Sequence, residues 1–321
     1  MSKVNRRELF FLGLGGFIAA VPFATRRPLS LVRRTVVVMG TLAEIAVAHR
    51  EPQQAQAAID AAVRSLQWVD KTMTAFSSHS DVGRANLRAV KSAVAVTPET
   101  MTVLRRAQAW AEASDGIFDP CLGRAVSVWD VKHRHEPPAA PEVTRLANRK
   151  LYRQLELAER QKMPIVRFHD PDVSIDLGGI AKGYGVDRAV AALREHGIEH
   201  ALVGAGGDIY ALGRSPSGDA WDIGIQSPFE KDAVIETLRL ENAAVATSGD
   251  YQQYFQHGGR RYHHLLDPVT GEPRQTTQHS VSIIADTCMD ADAAATLAFG
   301  RASADVSRAL ARHGARVAHL V

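Results

Sequence analysis

Val173-Ser174-Ile175-Asp176-Leu177-Gly178-Gly179-Ile180-Ala181-Lys182-Gly183-Tyr184-Gly185-Val186-Asp187 sets the reading of the chain. Apolar Val173, Ile175 and Leu177 alternate with Ser174 and Asp176, the period of a half-buried strand. Gly178-Gly179 breaks the alternation, and Ile180 to Glu195 reads as a helix stopped by Gly197. Two glycines let the backbone approach a ligand, and the free N–H groups of a helix start favour an anion such as phosphate. Lys182, one turn in, adds a formal charge. The familiar phosphate patterns are absent. There is no G-x-x-x-x-G-K-S/T, and the Gly204-Ala205-Gly206-Gly207 turn lacks the third glycine of G-x-G-x-x-G. Alone, the stretch reads equally as a structural strand–turn–helix.

Outward from it, strand-like segments at Val36-Val37-Val38 and Ile45-Ala46-Val47 flank Met39-Gly40-Thr41. Pro52 opens a helix whose apolar positions Ile59, Ala62, Val63, Leu66 and Val69 recur at three- and four-residue steps. Thr97-Pro98 starts another. His133 to Pro138 reads as an exposed loop. Strands are expected at 201–203, 209–212, 221–225, 243–247, 261–266, 280–285 and 317–321, with helices at 287–299 and 302–313. Strands joined by short turns predict an α+β fold with a mixed, largely antiparallel sheet and flanking helices.

Of 321 residues, 45% are hydrophobic and 23% charged, an ordinary globular balance. The net charge of +3 is local. Lys3, Arg6, Arg7, Arg26, Arg27, Arg33 and Arg34 face one acid, Glu8, within residues 1–34, so the body is mildly acidic. Nothing in it suggests a nucleic-acid partner. Arg6-Arg7 directly before a short, glycine-containing apolar run predicts a twin-arginine export signal, hence a periplasmic protein that meets the membrane only through its signal or its acceptor. An uncleaved signal would retain it at the inner membrane. Residues 1–34 are read as signal and short linker, and 35–321 as one catalytic body. Cys121 and Cys288 form no zinc pattern.

Two further clusters carry oxygen and nitrogen chemistry. In Asp290-Ala291-Asp292-Ala293-Ala294-Ala295-Thr296, Asp292 and Thr296 lie four apart and share a helix face. A carboxylate and a hydroxyl are hard donors suited to Mg²⁺ or Ca²⁺, although capping by Asp290 and a dipole effect at Asp292 explain them equally well. In His263-His264-Leu265-Leu266-Asp267-Pro268-Val269-Thr270-Gly271, a turn carries His264 towards a loop entrance, where it contacts phosphate, donates a proton or sits on the surface. Thr247-Ser248-Gly249-Asp250 offers hydroxyls, but Gly-x-Ser-x-Gly is absent, so a Ser–His–Asp mechanism has no local support.

These stretches, in this order, together with Met39-Gly40-Thr41 and Gly116-Ile117-Phe118-Asp119-Pro120, resemble the FAD:protein FMN transferases, the ApbE family, from about Val36 to Phe299. The resemblance implies an ApbE-like (T-fold-like) body that splits FAD, joins FMN to an acceptor flavoprotein's threonine motif through a phosphoester, and releases AMP. Met39, Phe76, Ile117, Phe118, Asp119, Asp176, Lys182 and Leu266 would then line the FAD site. Phe76 stands where relatives often have tyrosine. Asp292, Thr296 and the Gly179 carbonyl would hold Mg²⁺, His264 would lie near the phosphates, and Ser248 and Asp250 would be neighbours. Asp292, His264 and Asp176 are the candidate catalytic residues, either aspartate being suited to position or deprotonate the incoming hydroxyl.

Two positions depart from the pattern. Ala295 replaces an acid or serine found in some relatives, which bears on the number of metal ions, and Gly204 replaces a common asparagine. The competing functions are an FAD pyrophosphatase, with water in place of threonine, and a non-catalytic FAD carrier. The missing glycine fingerprint argues against a Rossmann oxidoreductase.

Overall fold

Met39-Gly40 turns the chain at positive φ in both residues, 54° and 70°, the geometry that a tight hairpin requires. The structure, a computed structural model, describes residues 9–11, 17–20, 29–230 and 233–321. The Arg6-Arg7 pair lies outside the described residues. Leu9–Phe11 (β1) and Phe17–Ala20 (β2) are short strands. Ser30–Val38 (β3) and Thr41–His49 (β4) flank the Met39-Gly40 turn, so β3 begins within the segment read as linker. Pro52–Met73 (α1) follows, burying the expected stripe of Ile59, Ala62, Leu66 and Val69.

Asp81–Arg88 (α2), Val94–Ala95 (β5) and Pro98–Ala113 (α3) come next. Thr97 caps α3 by accepting the Thr100 N–H at 3.2 Å, as its sequence predicts. Gly123–Trp129 (α4), Ala140–Leu146 (α5), Leu155–Arg160 (β6) and Met163–Phe168 (β7) complete the first half, with β5, β7 and β6 in one small sheet.

The strand expected at 173–177 is extended chain without a ladder. Val173, Ile175 and Leu177 are buried as the alternation requires. The backbone is satisfied elsewhere: the Asn86 side chain takes the Ile175 N–H and donates to its C=O, at 2.7 and 2.9 Å. Gly123 N donates to Ser174 O at 2.8 Å, and Asp176 N to Pro120 O at 2.9 Å. An asparagine and the single segment 120–123 stand in for the neighbouring strand.

Ala181–Glu195 (α6) leads into Ala201–Ala205 (β8), a Gly206-Gly207 turn, Asp208–Leu212 (β9), Trp221–Gln226 (β10) and Val234–Leu240 (β11). Ala243–Gly249 (β12), Tyr254–His257 (β13) and Arg260–His263 (β14) follow. β14 ends at His263, three residues short of the end expected at 266, where His263 Nδ1 accepts the Leu265 N–H at 3.2 Å and the chain turns out of the ladder. Ser280–Ala285 (β15), Cys288–Ala298 (α7), Ala304–Arg312 (α8) and Arg316–Leu320 (β16) close the fold.

Seven strands form the main sheet in the order β16-β15-β12-β9-β8-β4-β3, every pair antiparallel. Alternation assigns its faces. Ile45, Val203, Tyr210 and Ala246 face a core shared with α1, α3, α6 and α7. Ala46, Leu202, Ile209 and Val245 face a second core with Trp221, Ile223 and Leu240, where the sheet β1-β2-β10-β11 lies. This arrangement is α+β. Among the described residues no helix is long and apolar enough to cross a membrane.

Candidate functional site

The site grows from the seam between α6 and α7, which glycines allow to close. A Cβ on Gly183 would lie 2.1 Å from Cys288 O, and one on Gly179 would lie 2.9 Å from Thr296 Oγ1. Asp187, a turn beyond Gly183, accepts the Cys288 and Met289 N–H groups at 2.8 and 2.9 Å, filling orphan donors at the start of α7. Burial pushes the Asp187 carboxyl up to about 7 despite these bonds. Thr287 caps the same end, and Asp290 is spent on Arg106 Nε at 2.6 Å and Trp110 Nε1 at 2.9 Å. Asp290 is therefore an anchor for α7, which leaves Asp292 and Thr296 on the α6 side.

Asp292 is only 2% exposed. Its Oδ2 accepts the Gly183 N–H at 3.1 Å and its Oδ1 the Lys182 ammonium at 2.9 Å. The same ammonium donates to Asp208 Oδ2 at 2.8 Å. Asp208, 1% exposed, shares the parity of Tyr210 and Leu212 on β9 and therefore points to the helix face. Two carboxylates thus meet one cation. Burial opposes the charge on Lys182, but Asp208 and Asp292 outweigh it and raise its pKa, so the amine stays charged. Burial, and then the negative charge of Asp292, push Asp208 well above the ordinary carboxylate range. Asp208 was missed in the sequence because a residue following Gly206-Gly207 reads as part of a turn. Its strand parity is the signal that finds it.

The structure places the other sequence candidates as follows. Asp176 is half-buried, with Oδ1 accepting the Gly178 N–H at 2.7 Å, and burial raises its pKa. His264 is half-buried, its Nδ1 at 3.4 Å from Gln253 O. Burial, followed by the neighbouring charges of His263 and then Lys182, lowers it to about 4, so the ring is neutral at physiological pH. Met39 is fixed by its N–H to Asp70 Oδ2 at 3.0 Å and lies against Gly185, where a Cβ would come within 2.9 Å of its Sδ. Ile117 is half-buried in a turn held by Ser114.

Three candidates turn their side chains away from open space. Phe118 is buried in the main core and Leu266 in a smaller one with Trp129 and Phe255. Asp119 holds its own loop, accepting Cys121 N at 2.8 Å and Tyr152 N at 3.3 Å, and burial lifts it to about 6. Phe76 is the opposite case at 95% exposure. Asp250 is paired with Arg261 at 3.0 Å and His279 at 3.1 Å, while Ser248 is half-buried near the same end of β12.

Among the described residues no group of three or more His, Cys, Asp or Glu side chains forms a metal cage. The donor set at the seam is smaller: Asp292, Thr296 and the Gly179 backbone, all hard oxygen ligands of the kind Mg²⁺ accepts when waters and phosphate complete its shell. A Cβ at Gly179 would crowd Thr296 Oγ1 and Cγ2 at 2.9 and 3.0 Å, so glycine is what lets this backbone lie against that hydroxyl.

The sequence profile of the ApbE family matches residues 39–321. The FAD:protein FMN transferase of Treponema pallidum (strain Nichols) is 34% identical over 282 residues, 83% of this chain and 77% of the relative. That of Klebsiella pneumoniae (strain 342) is 34% identical over 231 residues, 71% and 70% of the two chains. The ApbE protein of Thermotoga maritima superposes with a TM-score of 0.80 at 32% identity, covering 90% of this chain and 93% of its own. The flavin transferase ApbE of Vibrio cholerae superposes with a TM-score of 0.76 at 27% identity over 90% and 93%. Sequence profile, relatives and backbone agree over almost the whole body: the chain belongs to the ApbE family.

Proposed function

We propose that the protein is a Mg²⁺-dependent FAD:protein FMN transferase that moves FMN from FAD to a threonine hydroxyl of an acceptor redox protein and releases AMP. The names of its relatives support the transferase. The observation that carries the chemistry is the α6–α7 seam, where Asp292, Thr296 and Gly179 converge beside Lys182.

In this reading Asp292, Thr296 and the Gly179 carbonyl would hold Mg²⁺, whose positive charge would draw electron density from the diphosphate oxygens. Lys182, fixed by two carboxylates, adds a charge that needs no reorganisation during the reaction. At the α6 start the Ala181 N–H goes to Leu177 O and the Gly183 N–H to Asp292, so what favours phosphate there is the helix dipole with the Lys182 charge rather than a row of free N–H groups. The threonine oxygen forms a bond to the FMN-side phosphorus as the bond to the AMP oxygen breaks, and the hydroxyl proton passes to a protein base. Asp292 is poorly placed for that task, because both its oxygens already accept hydrogen bonds. Neutral His264 and half-buried Asp176 are the groups able to take it. The buried side chains of Phe118, Asp119 and Leu266 leave backbone as their contribution to the FAD site, whereas Phe76 offers a ring face for stacking. The reading includes export to the periplasm, supported by Arg6-Arg7 ahead of an apolar run.

Incubation with FAD, Mg²⁺ and an acceptor domain carrying an exposed threonine tests it. A fluorescent flavin band on the acceptor is expected. FMN and AMP without that band would mean hydrolysis, and intact FAD would mean a carrier; either result overturns the proposal.

A further inference from the structure

We infer that Arg274 is a positioning residue for the proposed transfer, tying the two turns that carry Ile117 and Leu266 to the C-terminal turn of α7, which carries Thr296. The inference rests on the functional reading above.

Arg274 is 4% exposed, and every nitrogen of its guanidinium donates to main-chain oxygen. Nη1 reaches Thr296 O at 2.8 Å, Leu297 O at 3.0 Å and Phe299 O at 2.6 Å. Nη2 reaches Ile117 O at 3.0 Å, and Nε reaches Leu266 O at 3.3 Å. The first three acceptors belong to the last turn of α7, where carbonyls lose their intrahelical partners and the helix dipole favours a cation. The other two belong to segments 157 and 8 residues away along the chain. The Arg274 main chain joins the same assembly: its N–H donates to Leu265 O at 2.9 Å, and its carbonyl accepts His263 Nε2 at 2.8 Å. One residue thereby holds the turn leading to His264, the turn of Ile117 and the end of the helix bearing Thr296.

The arrangement both stabilises and spaces these segments. An apolar residue of similar volume would fill the space but strand five carbonyl acceptors. A planar fork with five donors is the side chain that can serve acceptors on three segments together. Burial lowers its pKa to about 10, so the group remains a cation at neutral pH, with Asp267 partly offsetting the loss of water. The consequence for function is a fixed spacing between the backbone near the flavin nucleotide and the oxygen donors near its diphosphate. Lysine keeps the charge but concentrates it at one point, and cannot hold three segments.

The test compares wild type, Arg274→Lys and Trp221→Phe. Trp221 donates to Leu212 O in the far core between the sheets, so its variant controls for general loss of stability. FAD binding is titrated by flavin fluorescence without acceptor, and the Mg²⁺ dependence of labelling is followed with acceptor present. For Arg274→Lys the FAD dissociation constant and the half-saturating Mg²⁺ concentration are expected to rise together by about tenfold, as when a residue supporting metal ligands is lost. An Arg274→Lys protein with both values at wild type, or moved no further than in Trp221→Phe, overturns the inference. Should Arg274→Lys not fold, hydrogen exchange on wild type decides: FAD and Mg²⁺ are expected to protect residues 117–119, 264–274 and 296–299 as one unit. Protection of one segment without the other two overturns the inference. Failure of the wild type to bind or transfer flavin would instead count against the functional reading.

Discussion

Gly183 donates its backbone N–H to Asp292 Oδ2 at 3.1 Å, joining residues 109 positions apart. The bond exists because nothing projects from Gly183 towards Cys288 O, 2.1 Å from where a Cβ would sit. Backbone on both sides leaves no flexible atom to move aside. Gly183→Ala is therefore expected to destabilise the protein by about 3 kcal/mol, the upper part of the ordinary overpacking range. Urea unfolding measures it, and a midpoint equal to wild type would show that α6 and α7 separate freely.

Asp292→Ala removes the charged donor of the proposed Mg²⁺ set while Asp208 still partners Lys182. Folding is expected to persist, and acceptor labelling to fall at least about 10²-fold, the scale for removing one stabilising electrostatic group. Chelation of Mg²⁺ from wild type is expected to do the same. Labelling by the variant at the normal rate would refute the metal assignment.

His264 titrates near 4, below the ordinary histidine value of about 6.5, because burial and neighbouring charge disfavour its cation. Acting as a base, it would be active above its pKa and lost as pH falls through it. The kcat/KM profile is expected to lack an inflection near 6.5, and His264→Gln to lower kcat by about 10²-fold or more. A wild-type profile that falls through pH 6.5 and a variant that lacks that fall would place an ordinary histidine there.

Asp119 gains affinity for its proton on folding, from 3.8 to about 6, since it is 8% exposed and burial disfavours its charge. Its contribution is fully present below 3.8 and is lost as pH rises through about 6. Measured by urea unfolding, wild type is expected to lose stability relative to Asp119→Asn between those values. A constant difference would mean that the carboxyl is ionised in the folded protein throughout.

Phe76 is 95% exposed and packs on nothing, so Phe76→Ala is expected to change stability by less than about 0.5 kcal/mol. A stacking role makes the same change weaken FAD binding while Phe76→Tyr restores it, which fluorescence titration checks. Equal FAD affinity in all three proteins would remove Phe76 from the site.

Much of this arrangement is written in local patterns. Pro52, Thr97-Pro98 and the apolar stripe of α1 mark helices whose starts and buried faces follow from capping and periodicity. The pairing of Asp292 with Thr296 is a matter of helical spacing alone. Other features depend on partners that no local window contains. The alternation at 173–177 correctly marks buried positions, but Asn86, far upstream, takes the hydrogen bonds that a strand would need. Asp119 has the same chemical identity as Asp292, yet its two oxygens are claimed by main-chain N–H groups of its own loop and of Tyr152, whereas Asp292 meets the Lys182 ammonium. Asp208 is concealed by its turn, and Arg274 by the absence of any pattern around a lone arginine after proline.

Lys182, Asp208 and Asp292 belong to three separate stretches of polypeptide, the aspartates 26 and 110 residues apart from the lysine. Contacts so distant in order form late. The charge cluster of the seam is therefore assembled only once α6, β9 and α7 have docked on one another. Under the proposed function, a nucleotide that binds this cluster would hold three distant stretches of chain together and so favour the folded protein by mass action.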